Sequence, residues 1–142
     1  MALLEFALVA PIFFFLLYGL IAFGMALAVK QGVTNAAAEG ARSAVGAADL
    51  TTAKSTATAT VASRLKWMGS KYVPASDLTV IYLNPSSGLC DSAYTPASGA
   101  TGVSLCVTVN IPYKTRGFVP SAPIINGVMP TQLKSTAVVQ IN

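Results

Sequence analysis

The sequence predicts an α+β chain: a long N-terminal hydrophobic helix, a second short helix and a small antiparallel sheet of about three strands. Three observations predict it. Residues 1–29 read MALLEFALVAPIFFFLLYGLIAFGMALAV, with one charge, Glu5, and one proline, Pro11. Residues 30–68 are rich in alanine, with apolar positions at helical spacing. Three later runs, LTVIYL, VSLCVTVNI and LKSTAVVQI, are rich in β-branched residues and lie between stretches of Pro, Gly and Ser. The organisation that follows is an N-terminal helix over 1–48, with 1–29 its transmembrane part. A globular head over 49–142 carries a helix at 51–68 and strands near 78–83, 103–111 and 133–141.

The opening run is long enough to cross a bilayer. About 20 helical residues span a hydrocarbon core, and 29 residues of helix reach roughly 43 Å. A cleaved signal has an apolar region of only about 7–15 residues and a basic start, and neither is present. Charge near the segment gives an orientation that conflicts with other signals. Lys30 and Arg42 follow the run and no basic residue precedes it, which by the positive-inside rule points the head to the cytoplasm. The conflict disappears if a basic leader is removed before Met1.

Glu5 has two readings. It sits at the membrane surface in the first helical turn, where a negative charge suits the helix dipole. Alternatively it is buried among neighbouring helices and needs a cation. No Lys, Arg or His precedes Lys30, so an α-amino group, that of Met1 or of a neighbour's Met1, is the available partner. Pro11 lacks an N–H and removes the bond back to Ala7, which predicts a kink. Gly19 and Gly24 are small positions where helices can approach closely.

Beyond Val29, positions Val33, Ala37, Ala41 and Ala44 continue one small, mildly apolar stripe suited to close helix packing. Gly32, Gly40 and Gly46 each weaken the helix by about 1 kcal/mol against Ala. Asp49, Thr51 or Thr52 can cap the next helix. That helix places Ala53, Ala57, Val61, Leu65 and Met68 on one stripe and ends at Gly69. Its TATATV portion also fits a strand, but the alanines and the later RLKWM favour helix. Pro74 leads into the first strand. A long loop follows over 84–100. Pro112 ends the second strand or sets it at an edge. A second irregular stretch over 115–130 carries Pro120, Pro123 and Pro130.

The N-terminal region, LLEFALVAPIFFFLLYGLIAFGMAL followed by VTNAAAEGARSA, resembles the TadE-like pilins of the tight-adherence type IV pilus system. The family's opening corresponds here to Glu5–Leu8 and Pro11, and its polar signature to Thr34–Ala44. The likeness covers roughly residues 2–48, and VTVNIPYKTRGF and LKSTAVVQIN resemble the family's closing strands. It implies a type IV pilin-like fold and a leader cut by a prepilin peptidase just before Met1. It further implies residence in the inner membrane before assembly by the pilus machinery into an extracellular, helical homo-oligomeric filament for adhesion. Residues 1–29 would then be the filament core. Glu5 would pair with an adjacent α-amino group and set the axial register. The family also implies a second role, a minor pseudopilin that primes or tips a filament of another pilin. A monomeric, membrane-anchored binding domain is a third reading, though a lone anchor has no use for Glu5.

The rest of the composition narrows the function. The chain has no histidine and five acidic residues, at 5, 39, 49, 77 and 91. No metal-ligand cluster, paired carboxylate, phosphate loop or nucleophile with its base is present, so no enzyme and no cofactor are expected. The nine basic residues are scattered, and the Arg64–Lys71 group around Trp67 reads as a solvated helix end rather than a nucleic-acid patch. Cys90 and Cys106 are an even pair, which in an exported head favours a disulfide. It would close a loop of about 17 residues and stabilise by roughly 3 kcal/mol. Two buried thiols are the alternative.

Overall fold

The computed structural model describes residues 2–97, 100–118 and 129–141. Helix α1 spans Ala2–Ala44 and α2 spans Leu50–Arg64. A 3-10 turn at Lys66–Lys71 and a single helical turn α3 at Pro74–Asp77 follow. The strands are β1 at Leu78–Asn84, β2 at Leu89–Asp91, β3 at Val103–Ile111 and β4 at Leu133–Ile141. They form one antiparallel sheet in the order β2-β1-β3-β4. The α+β class holds, with four strands rather than three among the described residues.

The helix boundaries differ from expectation for local reasons. α1 stops at Ala44, not 48, because Val45 and Ala47 donate to the carbonyls of Arg42 and Ala44, tightening the chain into turns. Asp49 then caps α2, its carboxylate accepting from the Thr52 N–H at 2.6 Å. This bond is the main reason the Asp49 carboxyl lies below its ordinary value of 3.8. α2 ends at Arg64, not 68. The stripe continues through the 3-10 turn, where Met68 is still buried and Gly69 takes φ +57°. α1 runs unbroken through Pro11.

One face of the sheet lies on the two helices. Leu105, Val107, Val109 and Ile111 of β3, with Leu133 and Ile141 of β4, pack against Val29, Val33, Ala37, Ala41 and Ala44 of α1 in one core. The α2 stripe of Ala53, Ala57 and Val61 closes the same core. Alternation on β4 leaves Lys134, Thr136, Val138 and Gln140 on the open face.

α1 and α2 approach closely at Gly40. A β-carbon there would lie 2.4 Å from Val61 Cγ2 and 3.3 Å from the Ala57 carbonyl. Gly40 is therefore the residue that lets the helices meet, a role its low helix propensity hides.

Candidate assembly and membrane-facing surface

The stalk is exposed apolar surface. From Leu3 to Leu17 every large hydrophobic side chain is open to the surroundings, among them Leu3, Phe6, Phe13 and Leu16. α1 is long and apolar enough to cross a membrane. The head reaches further along it than the apolar pattern indicates. Ala22, Ala26 and Val29 are buried and Tyr18 packs on the same core, although all four lie within the apolar run. Beyond Leu17 the stalk is thus two-sided, with Leu20, Ile21, Phe23, Met25 and Leu27 exposed on its other face.

The predicted assembly residues lie on this exposed rod. Glu5 is exposed, and among the described residues it has no ion pair. Met1, its proposed partner, lies outside the described residues. Pro11 is exposed. A β-carbon on Gly19 or Gly24 would meet nothing within 4 Å, so neither packs against its own head.

The head is fastened by contacts that fix its two ends. At the far end, Cys90 and Cys106 form a disulfide with Cα atoms 6.0 Å apart. They lie on β2 and β3, which flank β1 on opposite sides. Two strand spacings in a flat sheet would hold them roughly 10 Å apart. The short β2 edge therefore curls over the open face, where Cys106 is fully buried. Nearby, Lys54 Nζ lies 4.4 Å from the Tyr82 ring centroid. A groove of about 510 Å³ opens there between Asp49, Leu50, Tyr82 and Ile141.

At the stalk end, Arg116 Nη2 donates to Asp77 Oδ1 at 2.8 Å, and Asp77 Oδ2 accepts from the Val73 N–H at 2.8 Å. Among the described residues Asp77 is the buried charged residue of the head, 2% exposed. Tyr113 and Phe118 stack with centroids 5.0 Å apart. Lys71 Nζ lies 5.0 Å from the Phe118 centroid and donates to the Gly117 carbonyl. Lys30 Nζ donates to the Lys134 carbonyl. Burial, with Tyr18 adding to it, pushes the Tyr113 hydroxyl above its ordinary value. Burial and the neighbouring Asp77 push Tyr72 up to about 12.

These contacts order the head along the stalk. Lys134 at the start of β4 is level with Lys30, and Ile141 at its end is level with Ala47. Trp67 lies against Gly32 and Val61 against Gly40. The charges follow this axis. Lys30, Lys66, Lys71, Lys114, Arg116 and Lys134 belong to the stalk end, with Asp77 as the acidic residue there. The far half carries Arg42, Lys54 and Arg64 against Glu39, Asp49 and Asp91, which cancel. The base of the head thus holds five net positive charges, and Glu5 reduces the total to the net +4 of the chain.

Sequence reading missed the Asp77–Arg116 pair, the role of Gly40 and this convergence of lysines, none of which has a local signal. Among the described residues no group of three His, Cys, Asp or Glu side chains comes together. No curated protein and no solved structure matches the chain significantly. Residues 1–42 match the family model described as TadE-like protein, a match that covers the helix carrying Glu5, Pro11 and the exposed apolar rod.

Proposed function

We propose that the protein is a structural pilin-type subunit of a tight-adherence pilus. α1 holds it in the inner membrane and then packs with copies of itself in the core of an extracellular adhesive filament. The observation that carries this reading is the apolar rod from Leu3 to Leu17, uncovered on every side, whereas beyond it one face of α1 is packed into the head. Such a surface is unstable in water, since burial is worth about 25 cal/mol per Å² of apolar area. It has two natural environments, lipid and a bundle of like helices. The TadE-like match over residues 1–42 supports an association with that pilus system. The disulfide supports an oxidising, extracytoplasmic place for the head.

Gly19 and Gly24, open on α1, would let neighbouring helices approach in the bundle. Glu5 would be neutralised there by the α-amino group of an adjacent subunit. The prepilin peptidase and the assembly machinery are the partners this route requires.

The test is to shear surface filaments from cells that express the protein and identify the subunits by mass spectrometry. This chain as the main component supports the reading. Its presence in trace amounts, in filaments built from another pilin, reassigns it as a minor subunit. Its absence from filaments, with retention in the membrane, leaves the anchored binding domain.

A further inference from the structure

We propose that the stalk end of the head is a docking surface for anionic lipid headgroups, which holds the head down on the bilayer while α1 is inserted. The inference rests on the membrane-anchored state of the proposed function and adds a specific partner for the base of the head.

Two independent observations carry it. The first is length. The part of α1 that is bare on all sides, Leu3–Leu17, is only about 22 Å long, whereas the hydrocarbon core is about 30 Å thick. A span of about 30 Å that starts at Leu3 reaches about 8 Å into the two-sided part of α1, where Tyr18, Ala22 and Ala26 are already covered by the head. The outward face of that part is apolar, with Leu20, Ile21 and Phe23 exposed, so it suits lipid. Spanning the bilayer therefore brings the base of the head down to the headgroups.

The second observation is the chemistry of that base. Tyr18, Tyr113 and Phe118 gather beside the stalk, and Trp67, 60% exposed, lies against Gly32 near the level of Lys30. Aromatic rings are at home at the headgroup level. Around them stand the basic residues. Arg116 is held by Asp77, Lys30 by the Lys134 carbonyl and Lys71 by the Gly117 carbonyl. Lys66, Lys114 and Lys134 have exposed side chains with no acidic partner among the described residues. Acidic headgroups complement this set, and a zwitterionic surface does not.

Trp67 is the single tryptophan of the chain and reports on the base directly. The full chain is reconstituted into vesicles of phosphatidylcholine, alone or mixed with phosphatidylglycerol. Quenching of Trp67 by a lipid spin-labelled at the headgroup is then measured, and flotation after a high-salt wash measures insertion separately. Quenching is expected to be at least about twofold stronger with phosphatidylglycerol and to fall to the phosphatidylcholine level in high salt. The triple variant Lys66→Gln, Lys114→Gln, Lys134→Gln should float normally, keep its disulfide and show the low quenching in both lipids. Equal quenching of the native chain in the two lipids, or a triple variant that behaves like the native chain, sinks the docking surface and leaves the anchor standing. Failure to float sinks the anchor and the docking surface together.

Discussion

Arg116 and Asp77, 39 residues apart, are joined by a 2.8 Å bond between Nη2 and Oδ1 at the stalk end of the head. The pair ties the loop after β3 to the turn before β1. Ser76 strengthens it, donating through Oγ to the same carboxylate oxygen at 2.9 Å. Asp77 is buried, while the Arg116 side chain keeps 22% of its surface. Removing the arginine therefore leaves a carboxylate in a dry site with only neutral donors.

The first prediction follows from that asymmetry. Arg116→Ala should destabilise the full chain in detergent micelles by about 3–5 kcal/mol, the usual cost of orphaning a buried charge. Asp77→Asn with Arg116→Met should recover part of that loss, since no buried charge remains. Urea unfolding of both variants checks this. A single-variant loss under about 1 kcal/mol would mean that the carboxylate reaches water when the arginine is gone.

The two glycines of α1 that meet other elements should respond unequally. Gly40→Ala forces a methyl to 2.4 Å from Val61 and close to backbone at Ala57, so it is expected to cost about 1–3 kcal/mol by overpacking. Gly32→Ala meets the edge of Trp67 at 2.9 Å, but that ring is largely exposed and can turn aside. Its gain in helix propensity, about 1 kcal/mol, should leave it neutral or stabilising. Midpoints of thermal unfolding for the two variants settle the ordering.

Tyr72 gives the head an alkaline limit. Its hydroxyl is pushed up to about 12 by burial and by Asp77, from the ordinary value of 10.0. A raised folded-state pKa means that the contribution is complete below pH 10 and is lost as pH rises towards 12. Within that window stability should fall by up to about 1.4 kcal/mol per pH unit. Tyr72→Phe should make this leg shallower while leaving stability at neutral pH nearly unchanged. An unaltered alkaline leg in the variant would assign the effect to Tyr82 and Tyr113, which burial also raises.

How much of this was legible in the sequence depends on the range of the interaction. The strands at 103–111 and 133–141 match the structure because alternation and β-branching are local signals. β2 was missed because Leu89–Asp91 is three residues defined only by pairing with β1. The cysteine pair was readable from its even count, whereas the curl of β2 that brings the two together was not. Gly40 reads locally as a weak helix former, and only the approach of Val61 reveals its use. The basic base is scattered over residues 30–134. The register of β4 against α1, the turn after α2 and the loop after β3 bring it together, and each is a tertiary outcome. Glu5 and Pro11, by contrast, stand out in sequence because nothing around them is polar or helix-breaking.

The last prediction concerns Glu5 in the assembled state. In the isolated chain it is exposed, so it costs nothing to leave without a partner. In a filament core the surrounding helices present Leu3, Leu4, Phe6 and Leu8, and an unpaired carboxylate there is expensive. A neighbour's α-amino group would satisfy it only at one axial offset between subunits, and the charge would therefore select register as well as association. Removing one partner of such a buried pair typically costs about 3–5 kcal/mol. Glu5→Ala should leave membrane insertion intact, because the rest of the rod still supplies the apolar span. The yield of sheared filaments should drop sharply. Glu5→Gln should be milder, since the amide still accepts a hydrogen bond from the ammonium. The readout is the ratio of subunit in the filament fraction to subunit in the membrane fraction. A native ratio for Glu5→Ala would remove the charge from the register mechanism and leave helix packing through the exposed rod as the driving force.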